Sequence, residues 1–205
     1  MSQDHAPSDL PHVGAPLLSR LLDVIETEIA PMTARGVEAG NKIFGAALLR
    51  KSDLSLVLAE TNNEIENPLW HGEMHCLKRF YEQSPRPETR DLIFLSTHEP
   101  CSLCLSAITW SGFDNFFYFF SHSDSRDSFA IPHDLRILSE VFGLEDGGYR
   151  RRNAYWTARE IRAEIADLDA SEREDLEVQA RRINRLYDGF SETYQASKAG
   201  GIPLD

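Results

Sequence analysis

Two short motifs carry residues able to do chemistry: His71-Gly72-Glu73 and Pro100-Cys101-Ser102-Leu103-Cys104. One imidazole and two thiolates form a donor set that suits zinc and leaves a fourth position for water. Each motif stands at the start of a predicted helix, where the helix dipole favours the thiolates Cys101 and Cys104. Glu73, two residues beyond His71, can face the same cavity without binding the metal. A carboxylate placed there can take a proton from zinc-bound water and pass it on. Three other readings compete. The cysteines are buried core thiols, or a redox pair, or part of a structural zinc site closed by a fourth ligand. His75 and His98 are the candidates for that fourth ligand.

Secondary structure has to bring the two motifs together. Leu17, Leu18, Leu21, Leu22, Ile25 and Ile29 have helical spacing, which predicts a helix over about 15–30 closed by Pro31, with 34–41 as a short second piece. Apolar runs at 43–49 and 54–60, split by Arg50-Lys51-Ser52-Asp53, predict a hairpin. A polar loop over 61–68 leads to a helix over about 70–82. A strand over 92–96, a helix over 101–110, an aromatic strand over 115–120 and a helix over 133–142 follow. This alternation predicts a three-layer α/β domain with a mainly parallel sheet, in which helix N-termini gather at one edge. A helix is expected over about 156–166. Ser171 with Glu174 has the form of a capping box, ahead of a helix whose face is Leu176, Ala180, Ile183, Tyr187, Phe190 and Tyr194. The expected organisation is a zinc domain over 14–146, a helical C-terminal extension over 147–195 packing on the core or a partner subunit, and flexible tails at 1–13 and 196–205.

The chain has 205 residues, 41% hydrophobic and 26% charged, with a formal net charge of −12. No apolar run approaches the roughly 18 residues of a membrane span, and the first thirteen residues lack the form of a signal peptide. A cytoplasmic location is expected. The acidic charge disfavours a nucleic-acid partner. From Arg150 to the end, ten Lys and Arg stand against eleven Asp and Glu, so no basic helix is evident there. Arg150-Arg151-Arg152 and 172–177 read as solvated surface, and Cys76 as a small core residue.

The order His-x-Glu then Pro-Cys-x-x-Cys is the signature of zinc deaminases. Together with Phe44-Gly45-Ala46, Asn62-Asn63 and the stretch 96–110, it resembles the cytidine deaminase-like superfamily, nearest its guanine and tRNA-adenosine deaminase branch. The resemblance covers 14–129. It implies a three-layer α/β/α sandwich around a mixed, mainly parallel five-stranded sheet, with Zn2+ held by His71, Cys101 and Cys104. It further implies zinc-bound hydroxide as nucleophile, Glu73 as proton shuttle and assembly as a homodimer. Where the family more often has His-Ala-Glu, this chain has Gly72. Carried over residue by residue, Asn62 (alternatively Asn63) meets the ring and the Gly72 N–H meets a ring carbonyl. Phe44 and Trp70 wall the base. The segment 117–129 resembles the one that follows the last core strand of bacterial guanine deaminases, with a few residues missing. That match makes Asp127, or else Asp124, a substrate contact. His98 stands where members of the family vary, which implies a residue shaping the pocket. The expected activity is hydrolytic deamination of a small guanine-, cytosine- or adenine-like base or nucleoside. A tRNA-adenosine deaminase and a non-catalytic zinc module are the alternatives.

Overall fold

The computed structural model describes residues 12–198 and 202–204. Of the expected tails, 1–11, 199–201 and 205 lie outside the described residues, whereas 196–197 belong to the last helix. A five-stranded sheet of order β2-β1-β3-β4-β5 forms the centre. It is built from β1 (Gly45–Arg50), β2 (Leu56–Thr61), β3 (Leu92–His98), β4 (Asn115–Phe120) and β5 (Thr157–Glu160). β1 is antiparallel to both β2 and β3, whereas β3, β4 and β5 pair in parallel. Only β1 thus runs against the other four, and the sheet is mixed.

Side-chain alternation along the strands divides two apolar layers. Ala47, Leu49, Ile93, Leu95, Phe117 and Phe119 face α1 (Ala15–Val24), α2 (Ala30–Glu38), α7 (Ile161–Ala166) and α8 (Ala170–Ser197). Ala46, Leu48, Phe94, Phe116 and Tyr118 face α3 (Gly72–Glu82) and α4 (Ser102–Trp110). Every side chain of β4 is buried, as expected of an inner strand covered by helices on both faces.

Three elements differ from the sequence expectation. The first helix does not close at Pro31. A π-helical turn, Ile25–Ile29, leads directly into α2, with Pro31 in its first turn. Proline has no N–H to donate and its ring crowds the carbonyl four residues back; a wider turn ahead of it relieves both constraints. The expected helix over 156–166 is divided into β5 and α7. Pairing with β4, at Asn115 with Thr157 and Phe116 with Ala158, overrides local propensity there. The Ser171–Glu174 capping box does not form, because α8 starts two residues earlier, behind Asp169, with no side-chain cap.

The face of α8 is as expected. Leu176, Ala180, Ile183, Tyr187 and Tyr194 are buried, and together they join the core layer that includes α1 and α2. Two shorter helices complete the path: α5 (His122–Asp127), which sequence periodicity did not show, and α6 (His133–Phe142).

Candidate metal centre and active site

The N-termini of α3 and α4 converge. His71 is the N-cap of α3 and Cys101 that of α4, and neither helix has a side-chain cap. His71 Nδ1 lies 3.5 Å from Cys101 Sγ and 3.8 Å from Cys104 Sγ, and the two sulfurs are 3.6 Å apart. Tetrahedral zinc, with Zn–S about 2.3 Å and Zn–N about 2.0–2.1 Å, separates two sulfurs by about 3.8 Å and sulfur from nitrogen by about 3.5 Å. The three donors therefore fit one zinc ion, and they are the group among the described residues able to hold a metal.

The two histidines able to close the tetrahedron are engaged elsewhere. His75 Nδ1 lies 2.9 Å from the Thr61 carbonyl, and its ring stacks on Trp70. His98 is enclosed by Phe44, Phe120, Phe129 and Tyr187, with Nδ1 3.0 Å from Thr97 Oγ1.

Glu73 lies in the first turn of α3 and is only 4% exposed. Its Oε1 accepts from Ser96 Oγ on β3 at 2.9 Å, and its Oε2 lies 3.4 Å from Cys104 Sγ. Burial raises its pKa, with the Cys101 charge adding to the effect. The facing Cys104, together with His71, holds the Cys101 thiol well below its ordinary value. Burial pushes Cys104 up. Burial works against charge on His71, yet Cys101, Glu73 and Glu64 lift it to about 9. Such a cluster of interacting ionisable groups, buried around three potential metal donors, is a candidate site of binding or chemistry.

The structure brings Asn62 to this centre and turns Asn63 away. Asn62 Nδ2 donates to Glu64 Oε2 at 2.6 Å, and its Oδ1 accepts the Gly72 N–H. Asn63 instead donates to Glu66. The Gly72 N–H is consequently occupied and is not free for a ring carbonyl. Phe44 is a core side chain whose ring meets His98 edge-on, 4.6 Å between centroids. Trp70 lies against His75 and Lys78.

Asp127 is not brought to the centre. Its side chain is 60% exposed and paired with Arg126. Asp124 is held by the α5 capping box and by Arg162. The reason is α5 itself, whose Ser121–Asp124 cap turns this segment into a helix that leaves Asp127 at its outer end.

Sequence reasoning missed several residues around the site. Asp134, in the first turn of α6, is partly buried and interacts electrostatically with Cys101, His71 and Glu73. Burial, then the Cys101 charge, raises its carboxyl well above the ordinary range. Glu99, one residue before Pro100, accepts from Tyr149 Oη at 2.6 Å, Arg151 Nη2 at 2.9 Å and the His122 N–H at 2.9 Å. Arg151 of the predicted surface cluster therefore braces the cysteine loop. No motif marks these positions, which meet the site only through tertiary packing. A surface concavity lined by Arg162, Ile165, Glu177 and Arg181 holds none of the metal donors.

Residues 25–120 match the family of the cytidine and deoxycytidylate deaminase zinc-binding region. A curated relative, guanine deaminase of Bacillus subtilis (strain 168), is 27% identical over 101 residues, or 47% of this chain and 63% of the relative. The aligned part thus spans less than two thirds of that relative. The chain is also similar to the crystal structure of guanine deaminase from Bacillus subtilis, with 26% identity, 53% and 73% of the two chains covered and a TM-score of 0.44. A guanine deaminase structure from Nitrosomonas europaea is 16% identical, with 90% and 99% covered and a TM-score of 0.45. The segment that carries His71, Glu73, Cys101 and Cys104 is thus similar to the zinc-binding region of cytidine and deoxycytidylate deaminases.

Proposed function

We propose that the protein is a zinc-dependent hydrolytic deaminase that removes an exocyclic amine from a small nucleobase or nucleoside. The observation that carries this reading is the buried Glu73 carboxylate, fixed by Ser96 beside three donors spaced for one zinc ion. Zinc, when bound there, lowers the pKa of a coordinated water to about 7, so a nucleophile is available at neutral pH. The chain's own residues do the rest. Glu73 Oε2 takes one proton from the attacking water and gives it to the ring nitrogen; it then takes the remaining hydroxyl proton and gives it to the amine, which leaves as ammonia as the carbonyl forms. Ser96 holds the other carboxylate oxygen, so that Oε2 stays aimed at the metal side. Asn62 orients the ring through the side-chain N–H that Glu64 leaves free. Asp134, beside Cys101, His71 and Glu73, supplies the carboxyl expected of Asp127.

Among the possible rings, a guanine-like base is favoured, on the similarity to the Bacillus subtilis guanine deaminase. The net charge of −12 argues against tRNA as substrate. The three cysteines are free, in keeping with a cytoplasmic location, and no described helix is long and apolar enough to cross a membrane. Assembly as a homodimer, which the family resemblance implies, is part of the same proposal.

The test is ammonia release by zinc-loaded protein from a panel of aminopurines, aminopyrimidines, their nucleosides and tRNA. A small base or nucleoside should be turned over, and Glu73→Ala should keep one zinc while losing about 10²–10⁴-fold in kcat. Normal turnover by that variant would remove the proton-shuttle role. Zinc binding with no turnover of any compound would leave a non-catalytic zinc module.

A further inference from the structure

Beside His71 lies a buried ion pair that the chemistry above does not use. Lys42 and Glu64 are 6% and 3% exposed, and Lys42 Nζ donates to Glu64 Oε1 at 3.0 Å. Two more donors converge on the same carboxylate. Asn62 Nδ2 reaches Oε2 at 2.6 Å, and His71 Nε2 lies 3.8 Å from Oε1. Nδ1 is the His71 nitrogen turned to the thiols, so Nε2 is the outer one.

Stability alone gives no reason for this pair, since desolvating two charges offsets much of their attraction. Donor and acceptor chemistry gives one. Lys42 is donor-only, the Asn62 amino group is a donor, and the outer nitrogen of a metal-bound imidazole carries its proton. Only a carboxylate offers acceptors to all three. Because Glu64 cannot donate, the Asn62 amide must present its NH2 to Glu64 and its oxygen to the Gly72 N–H. One side chain thereby sets the His71 ring, the Asn62 amide and the first turn of α3.

We propose that Glu64, pinned by Lys42, is a positioning residue that orients both the metal ligand His71 and the ring-binding amide of Asn62. The Asn62 half rests on the proposed function, whereas the His71 half requires only the metal centre.

Two variants test it. In Glu64→Gln the new amide must turn its NH2 toward Lys42, Asn62 or His71, setting donor against donor. The double variant Lys42→Met/Glu64→Gln removes both buried charges, so it folds without an uncompensated ion, and its one remaining acceptor can serve Asn62. Zinc affinity is read by competition with a chromogenic chelator, with circular dichroism confirming the fold. The zinc dissociation constant should rise about 10- to 100-fold in both variants. At saturating zinc, KM should rise about tenfold in the single variant, the effect of one lost hydrogen bond. In the double variant it should return to within about threefold of the parent.

Zinc affinity of the folded double variant within twofold of the parent would overturn the role at His71. A KM equally raised in both variants would overturn the role at Asn62. If no aminated heterocycle is turned over, the proposed function fails alone, and the chelator competition still decides about His71.

Discussion

An alanine at position 72 would place its Cβ 2.6 Å from Gly45 Cα, 2.8 Å from Gly45 N and 2.9 Å from the Phe44 carbonyl carbon. All three are backbone atoms at the start of β1, and that backbone is held from its far side. The Gly45 N–H donates to Thr97 Oγ1 at 2.9 Å, and the Phe44 carbonyl accepts from the Asn62 N–H and Thr61 Oγ1, each at 2.9 Å. Carbon atoms rest about 3.5–4.0 Å apart, so α3 and β1 must separate by about 1 Å. The part free to move is the first turn of α3, which carries His71 and Glu73. Overpacking of this kind costs about 1–3 kcal/mol, and a chain of this size loses about 2–4 °C in Tm for each kcal/mol. A shift of about 1 Å at a reacting group costs about 100-fold in turnover. Gly72→Ala is therefore expected to lower Tm, weaken zinc retention and depress kcat/KM together, read by thermal unfolding, metal analysis and ammonia release. Gly189→Ala is the control. Its Cβ meets nothing within 4 Å in the middle of α8, so it should stabilise by about 0.5–1 kcal/mol. A Gly72→Ala protein with Tm within 1 °C and activity within about threefold of the parent (about 0.7 kcal/mol) would refute the close approach of α3 to β1.

Three further outcomes follow from groups around the centre. Burial lowers the His98 pKa from 6.5 to about 3. Its contribution to stability is full above pH 6.5 and is lost as pH falls toward 3, because the unfolded chain takes the proton first; the slope is about 1.4 kcal/mol per pH unit. His98→Phe should flatten urea stability measured between pH 6.5 and 4.5, and an unchanged slope would contradict this. Arg151→Ala should cost about 1–2 kcal/mol, since it removes a partner of the buried Glu99 from a half-exposed position. Urea midpoints identical to the parent would show that Arg151 does not brace the loop. Asp134→Asn should raise KM about tenfold, as loss of one hydrogen bond to substrate would, with zinc stoichiometry unchanged; an unaltered KM would remove Asp134 from the pocket.

The metal donors were readable because each is local. His71 and the cysteine pair stand at the starts of helices that periodicity alone locates, so the fold only has to bring two helix ends together. The ring-contacting positions were not readable in this way. Asn62 and Asn63 are equivalent in sequence, and only the acceptors Glu64 and Glu66 separate them. Asp127 failed because a six-residue helix, too short to show periodicity, carries it outward. β5 has four residues with one buried, too few to show alternation, and it exists because the edge of β4 needs a partner. Pro31 misled because a widened turn accommodates it.

The C-terminal segment, which matched no motif, bears directly on the metal centre. Tyr149 and Arg151 grip Glu99 two residues before Cys101. The ring of Tyr187 on α8 packs against His98, 5.5 Å between centroids, at the end of β3. β5 fixes the outer edge of β4, and the last residue of β4, Phe120, accepts the Glu99 N–H at 2.7 Å. Loosening any of these frees the 98–101 turn and with it one of three donors whose separations must hold to a few tenths of an ångström. The His71 side is tied instead through Gly72, Asn62 and Glu64, all within 25–120. The two halves of the centre therefore answer to different parts of the chain. Damage to the C-terminal segment should release Cys101 while leaving the Asn62–Glu64–Lys42 network in place.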